Sequence, residues 1–220
     1  MPDNSERPLT AVALVCSLKR SPTQSSSDLM AEHVCEQLRS HGVKTDTLRC
    51  ADYAIAPGVE ADMGDGDEWP KIRDRVLGAD ILLVSTPVWL GHPSSITQRV
   101  LERLDAELSN TDDDGRPIMY GKVAVISVVG NEDGAHKVFA DCAQGLNDIG
   151  FSFAAQANTY WNGEAMHTTN YDDLDEVPEP VAKTTASAAR NAAHLAACCE
   201  LSNTRPSSGS DVGFGVKGAG

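Results

Sequence analysis

The chain has 220 residues with 41% hydrophobic content, enough for one ordinary domain with a substantial core and too apolar for global disorder. Its formal net charge of −14 excludes the usual nucleic-acid binder, which needs clustered lysine and arginine against phosphate. No apolar stretch approaches the ~20 residues of a membrane helix, and residues 11–16 are too short an apolar run for a secretory leader. The six cysteines, at 16, 35, 50, 142, 198 and 199, include no CxxC pair. A cytoplasmic protein with reduced cysteines and no metal site is expected.

Ala11 to Cys16 is a nearly continuous apolar run, the pattern of a strand buried on both faces. A serine-rich stretch follows, and then Met30, Val34 and Leu38 repeat at helical spacing until Gly42. Val43 to Arg49 alternates apolar with polar residues, as an edge strand does. Residues 52–70 read as a long Gly-, Pro- and acid-rich loop, and Ile72 to Leu77 as a short helix. Ile81 to Val84 is the most apolar strand and belongs at the centre of the sheet.

Ile96, Val100, Leu101, Leu104 and Leu108 mark a helix with Ser94 or Ser95 as its N-cap. A fourth strand is expected at Val123 to Val129, an amphipathic helix from Val138 to Ile149, and a fifth strand at Phe151 to Ala157. The alanine-rich stretch from Val181 to Cys199 is the last helix. The acidic runs at 60–68, 112–114 and 172–179 read as solvated loops. Five strand–helix alternations predict an α/β fold: a doubly wound, five-stranded parallel sheet of order 2-1-3-4-5 in three α/β/α layers. Residues 9–200 form the domain, with disordered tails at 1–8 and 201–220.

Three stretches follow strands and precede helices, and in an open α/β sheet such loops converge on one crevice. The first, Cys16 to Ser27, has neither GxGxxG nor the P-loop pattern. It offers hydroxyls at Ser17, Ser25, Ser26 and Ser27 and a cation at Lys19 just before a helix, the chemistry of a phosphate seat. The second, Thr86 to Ser95, holds Pro87, Val88, Trp89, Leu90 and Gly91: an aromatic surface with backbone groups for a flat ring, or else an oligomer contact through Trp89. The third, Val128 to Ala135, brings Gly130, Asn131, Glu132 and Gly134, with Glu132 and Asp133 also suited to capping the next helix. A phosphate joined to a flat heterocycle fits this set, and FMN is the ligand it implies.

Beyond the fifth strand, Tyr160 and Trp161 would stand at the same edge, and His92 beside the second loop, as candidates for a substrate pocket. No HExxH, GxSxG or cysteine–histidine pairing is present, so no catalytic side chain is expected and the chemistry would sit at flavin N5.

At these residues the chain resembles the flavodoxin-like NAD(P)H-dependent FMN reductase family. The resemblance rests on the strand, Ser-rich loop and helix at Val12 to Ala31, on T-P-x-W-x-G-x-P-S-S at Thr86 to Ser95, and on V-x-G-N-E-D-G-A at Val128 to Ala135. It runs from about Leu9 to Ala197. It implies FMN as cofactor, NADPH or NADH as electron donor, a small-molecule acceptor such as a quinone or free flavin, and a homodimer or homotetramer. Two departures stand out. Ala56 to Val59 replaces the cysteine cluster of iron–sulfur relatives, and Cys16-Ser-Leu-Lys19 replaces the frequent G-S-x-R. A flavodoxin-type carrier that shuttles electrons between proteins is the alternative.

Overall fold

The computed structural model describes residues 7–164 and 167–203. Most of both expected tails, residues 1–6 and 204–220, therefore lies outside the described residues. Five strands form the main sheet: β1 (Thr10–Val15), β2 (Lys44–Arg49), β3 (Ile81–Trp89), β5 (Val123–Gly130) and β6 (Ser152–Asn162), in the order β2-β1-β3-β5-β6. All four of these pairings are parallel. In chain order of the long strands this is the anticipated 2-1-3-4-5. The sixth strand, β4 (His92–Pro93), pairs antiparallel with the end of β3.

Strand geometry explains the layers, because successive side chains leave a strand on opposite faces. Val12 and Leu14 of β1, Leu82 and Val84 of β3 and Ala124, Ile126 and Val128 of β5 pack against α2 (Trp69–Gly78), α3 (Ser95–Leu104) and α4 (Ala135–Asp148). Their neighbours Ala11, Ala13, Val15, Ile81, Leu83, Val123 and Val125 pack against α1 (Ser26–Ser40) and α5 (Glu179–Asn203). The α5 face carries Ala188, Ala189, Ala192, Ala193 and Ala196, all buried. Small side chains there let the helix backbone approach a sheet face that is itself partly alanine. Cys16, Cys35, Cys50 and Cys142 are buried, and burial pushes the Cys142 thiol up to about 12.

Several expectations need correction. The last helix runs to Asn203, past the boundary drawn at 201. Arg7, assigned to the N-terminal tail, pairs with Asp80 (2.6 Å) and Glu200 (2.9 Å). The final long strand extends five residues past Ala157 because its pairing with β5 shifts register between Ala124 and Ile126. Gln156 sits there at φ 58°, and exposed Ala155 and Gln156 imitate a strand end.

The second loop is not a loop: β3 continues through Pro87 to Trp89, and Trp89 pairs with His92 across a two-residue turn. Leu90 (φ 51°) and Gly91 (φ 72°) both take positive φ, as the tight hairpin turn requires. A leucine at such a position is strained, and its side chain is 89% exposed. Replacing Leu90 with asparagine, which tolerates this conformation, is expected to stabilise the protein by about 0.5–1 kcal/mol. Thermal melting of L90N checks it; a lowered midpoint would show that the leucine side chain contributes more than the strain costs.

Candidate functional site

The stretches after β1, after β5 and after β6 meet the β3–β4 hairpin at the carboxyl edge of the sheet. They enclose a cavity of about 390 Å³, within the usual range for a small-molecule site.

One end is built by the first loop and α1. Ser17, Leu18, Lys19, Ser25, Ser26 and Ser27 line it. The loop is tied down: Ser21 donates from its N–H (2.8 Å) and hydroxyl (2.7 Å) to Asp52, and those bonds hold the Asp52 carboxyl below its ordinary value. The Arg49 guanidinium spans Thr23 O (2.7 Å) and Asp28 Oδ2 (2.6 Å). Lys19 Nζ donates to Gln24 O at 3.2 Å, which bends its cation back over the loop.

Ser25 is the N-cap of α1 and has extended backbone angles, but its hydroxyl makes no capping bond. Its carbonyl accepts from Asp28 N and Leu29 N. The N–H groups of Ser26 and Ser27 belong to the first turn, which an α-helix leaves without internal partners. An uncapped serine, first-turn N–H groups, a lysine and the positive end of the helix dipole form an anion seat.

The other end is flatter and more apolar. Pro87, Val88 and Trp89 contribute one side, and Val129, Gly130, Asn131 and Glu132 another. Trp89 is 56% exposed at the rim. The Thr86 and Ser94 of the second motif are structural. Ser94 Oγ accepts from Thr97 N and donates to Cys16 O (2.6 Å), and Thr97 Oγ1 donates to Thr86 Oγ1 (2.6 Å). This pins the hairpin and α3 to the end of β1. Glycine is required in the third loop: a Cβ on Gly130 would lie 2.2 Å from Val88 Cγ1, and one on Gly134, at φ 132°, would lie 2.8 Å from Gly91 Cα.

The remaining wall comes from β6 and the segment behind it. Trp161 lines the cavity together with His167 and Asn170. Asn131 Nδ2 donates to His167 O at 3.4 Å, joining this segment to the third loop. Tyr171 holds the wall in place, buried among Met30, Val129, Trp161 and Val181. Its hydroxyl is 2.8 Å from His33 Nδ1 on α1, and burial pushes the phenol up to about 12. Among the described residues, no group of three or more His, Cys, Asp or Glu side chains is placed to hold a metal ion.

Ser17, Lys19, Ser25, Ser26, Ser27, Pro87, Val88, Trp89, Gly130, Asn131, Glu132 and Trp161 thus line one cavity. Leu90, Gly91, Gly134, Tyr160 and His92 do not line it. Leu90 and Gly91 form the hairpin turn, where Leu90 N donates to Glu132 Oε1 at 2.7 Å, so Glu132 bridges two loops. It does not cap the next helix; Gly134 is that N-cap, with no side-chain cap bond. Tyr160 leaves β6 on the face opposite Trp161 and packs edge-on against His136, centroids 5.0 Å apart. His92 lies in a groove beside α3 and α4, with Lys137 Nζ at 3.2 Å.

Sequence reasoning missed Leu18, Val129, His167 and Asn170. The signal for the last two was Tyr171, an aromatic anchor at the head of an acidic run. The acidic runs are not merely solvated either. Asp67 is buried in an ion pair with Arg103 at 2.7 Å, and Asp172 accepts a hydrogen bond from the Ser26 hydroxyl.

The donor set fits an FMN molecule: an anion seat at one end, and two tryptophans with closely approached backbone at the other. The Asp172 carboxylate, bonded to Ser26 beside the anion seat, runs against that fit.

The chain is 40% identical over 169 residues to a Mycobacterium bovis protein named divalent metal cation transporter MntH, which covers 75% of this chain and 25% of that protein. It is 31% identical over 166 residues to the 8-demethyl-8-aminoriboflavin-5'-phosphate synthase of Streptomyces davaonensis, which covers 71% of this chain and 65% of that one. The chain thus spans less than two thirds of either relative. Among the described residues, no helix is long and apolar enough to cross a membrane. The crystal structure of RosB with bound 8-demethyl-8-formylriboflavin-5'-phosphate superposes with a TM-score of 0.77 at 26% identity, covering 96% of this chain and 93% of that one. The family model of the NADPH-dependent FMN reductases matches residues 9–164, and the chain belongs to that family.

Proposed function

We propose that this protein is an FMN-dependent oxidoreductase that takes hydride from NADPH or NADH and passes it to a small acceptor such as a quinone or a flavin. Bound FMN supplies the hydride-accepting and hydride-donating chemistry, which is why the cavity needs no acid–base pair of its own. The observation that carries the reading is the uncapped start of α1, where the Ser25 hydroxyl and first-turn N–H groups face one cavity with Lys19, Trp89 and Trp161.

In this reading Ser17, Ser25, Ser26 and Ser27 hold the phosphate by hydrogen bonds that the helix dipole strengthens. Pro87 to Trp89 and Gly130 to Asn131 shape the ring's place. The glycines at 130 and 134 let those two walls approach without intervening side chains. Asn131, already tied to the His167 carbonyl, orients the third loop and presents its amide toward the ring's polar edge. Exposed Trp89 leaves room at the rim for the nicotinamide and the acceptor in turn. A homodimer or homotetramer belongs to the same reading, with Trp89 and Leu90 as surface for a second subunit.

Anaerobic addition of NADPH to the FMN-loaded protein tests it. The flavin absorbance is expected to bleach without any second protein and to return when a quinone is added. A flavin that stays oxidised until a partner reductase is supplied would make the protein an electron carrier instead. The 31% identity to a flavin-phosphate synthase favours a second reading, in which the flavin itself is converted. Flavin recovered after many turnovers with unchanged mass decides for the reductase.

A further inference from the structure

A carboxylate is bonded to the first helical residue of the anion seat. Ser26 is the first residue of α1 and lines the cavity, and its hydroxyl donates to Asp172 Oδ1. The contact is held from several sides. The Asp172 carbonyl accepts from Gln24 Nε2 of the first loop at 3.4 Å. Asp172 lies in a helical turn, Tyr171–Asp173, closed by a reciprocal Asn170–Asp173 capping box. Tyr171, next in the chain, is 2% exposed and fixed against α1 through His33. The carboxylate is therefore positioned by the fold and is not the wandering end of a free loop.

An aspartate at this place uses a hydroxyl and a share of the helix dipole that a phosphate would otherwise use, and it repels a second anion. The neighbouring Asp173 carboxyl is held below its ordinary value chiefly by the bonds it accepts from Asn170 N (2.8 Å) and Nδ2 (2.9 Å), with a smaller contribution from the Lys19 charge.

We propose that Asp172 is a specificity-determining residue that sets how strongly this site rewards the phosphate of a flavin. This rests on the flavin-binding reading above and deepens it. With Asp172 charged, a phosphorylated flavin gains little over its dephosphorylated form, so the site accepts both and releases the phosphorylated one readily. Asparagine at 172 keeps the shape, still accepts from Ser26, and turns the repulsion into a donor toward the phosphate.

Dissociation constants of FMN and riboflavin, measured by flavin fluorescence quenching on wild-type protein, Asp172→Asn and Asp172→Ser, test the proposal. Both variants are expected to bind FMN about tenfold more tightly, with riboflavin changed by less than about threefold because its only tail is neutral. Riboflavin also reports whether a variant has kept the ring site. Equal shifts for the two flavins, or weaker FMN binding in both variants, would overturn the role of Asp172 while leaving flavin binding intact. Wild-type protein that binds neither flavin would overturn the functional reading and this inference together.

Discussion

Replacing Arg103 with methionine is expected to destabilise the protein by about 3–5 kcal/mol, the cost of leaving one partner of a buried ion pair alone. In a domain of this size that is a fall in melting temperature of roughly 10 °C. Arg103 and Asp67 have side-chain exposures of 0% and 1%, with 2.7 Å between them. The guanidinium also donates to Ala56 O (2.9 Å) and twice to Glu60 O (3.0 and 2.8 Å), and it lies 5.6 Å from the centre of the Trp69 ring. One side chain on α3 therefore satisfies the carbonyls of a loop whose Val59 and Met63 are exposed. The double variant Arg103→Met/Asp67→Asn is expected to lose less than the sum of the single changes, since it removes both charges. Additive losses would mean that the two residues act independently.

The pH dependence has a definite sign. Burial alone would raise the Asp67 carboxyl, but the Arg103 guanidinium and the N–H groups of Met63, Ala56 and Trp69 outweigh it and hold the group far below its ordinary value of 3.8. A depressed native carboxyl contributes stability that is present above the unfolded value and lost as pH falls through the native one. Wild-type stability should thus begin to decline below about pH 4. Arg103→Met, with a less depressed Asp67, should show a flatter profile there. Denaturant unfolding at a series of pH values reads this directly, and parallel profiles would contradict the assignment.

The second large effect is on ligand binding. Ser25→Glu is expected to weaken FMN binding by about two orders of magnitude, because a fixed carboxylate would share the seat with a dianion. Ser25 suits this test because its hydroxyl caps nothing in α1, so the helix loses no bond when it is replaced. Melting within a few degrees of wild type is expected beside the loss of FMN. Unchanged FMN affinity would place the phosphate elsewhere and remove the main support for the functional reading.

The sequence alone determined the fold class, the sheet order and three of the stretches that line the cavity. The physical reason is period. Central parallel strands are buried on both faces and read as unbroken apolar runs, as Ala11 to Cys16 and Ile81 to Val84 do, while helices repeat at three to four residues. Chain order then fixes the carboxyl edge as the meeting place of the loops.

What periodicity could not reach are contacts between residues far apart in the chain. The hairpin at Leu90 was hidden because leucine is not a turn residue, and the extension of β6 because its register shift at Gln156 interrupts the alternation. Which face Tyr160 and Trp161 take follows from that register. The acidic runs looked alike by composition, but only packing put Asp67 under Arg103 and Asp172 on Ser26, 36 and 146 residues apart. Burial and charge pairing are properties of the folded surface, where a carboxylate's environment depends on what is brought beside it; composition carries no record of that partner.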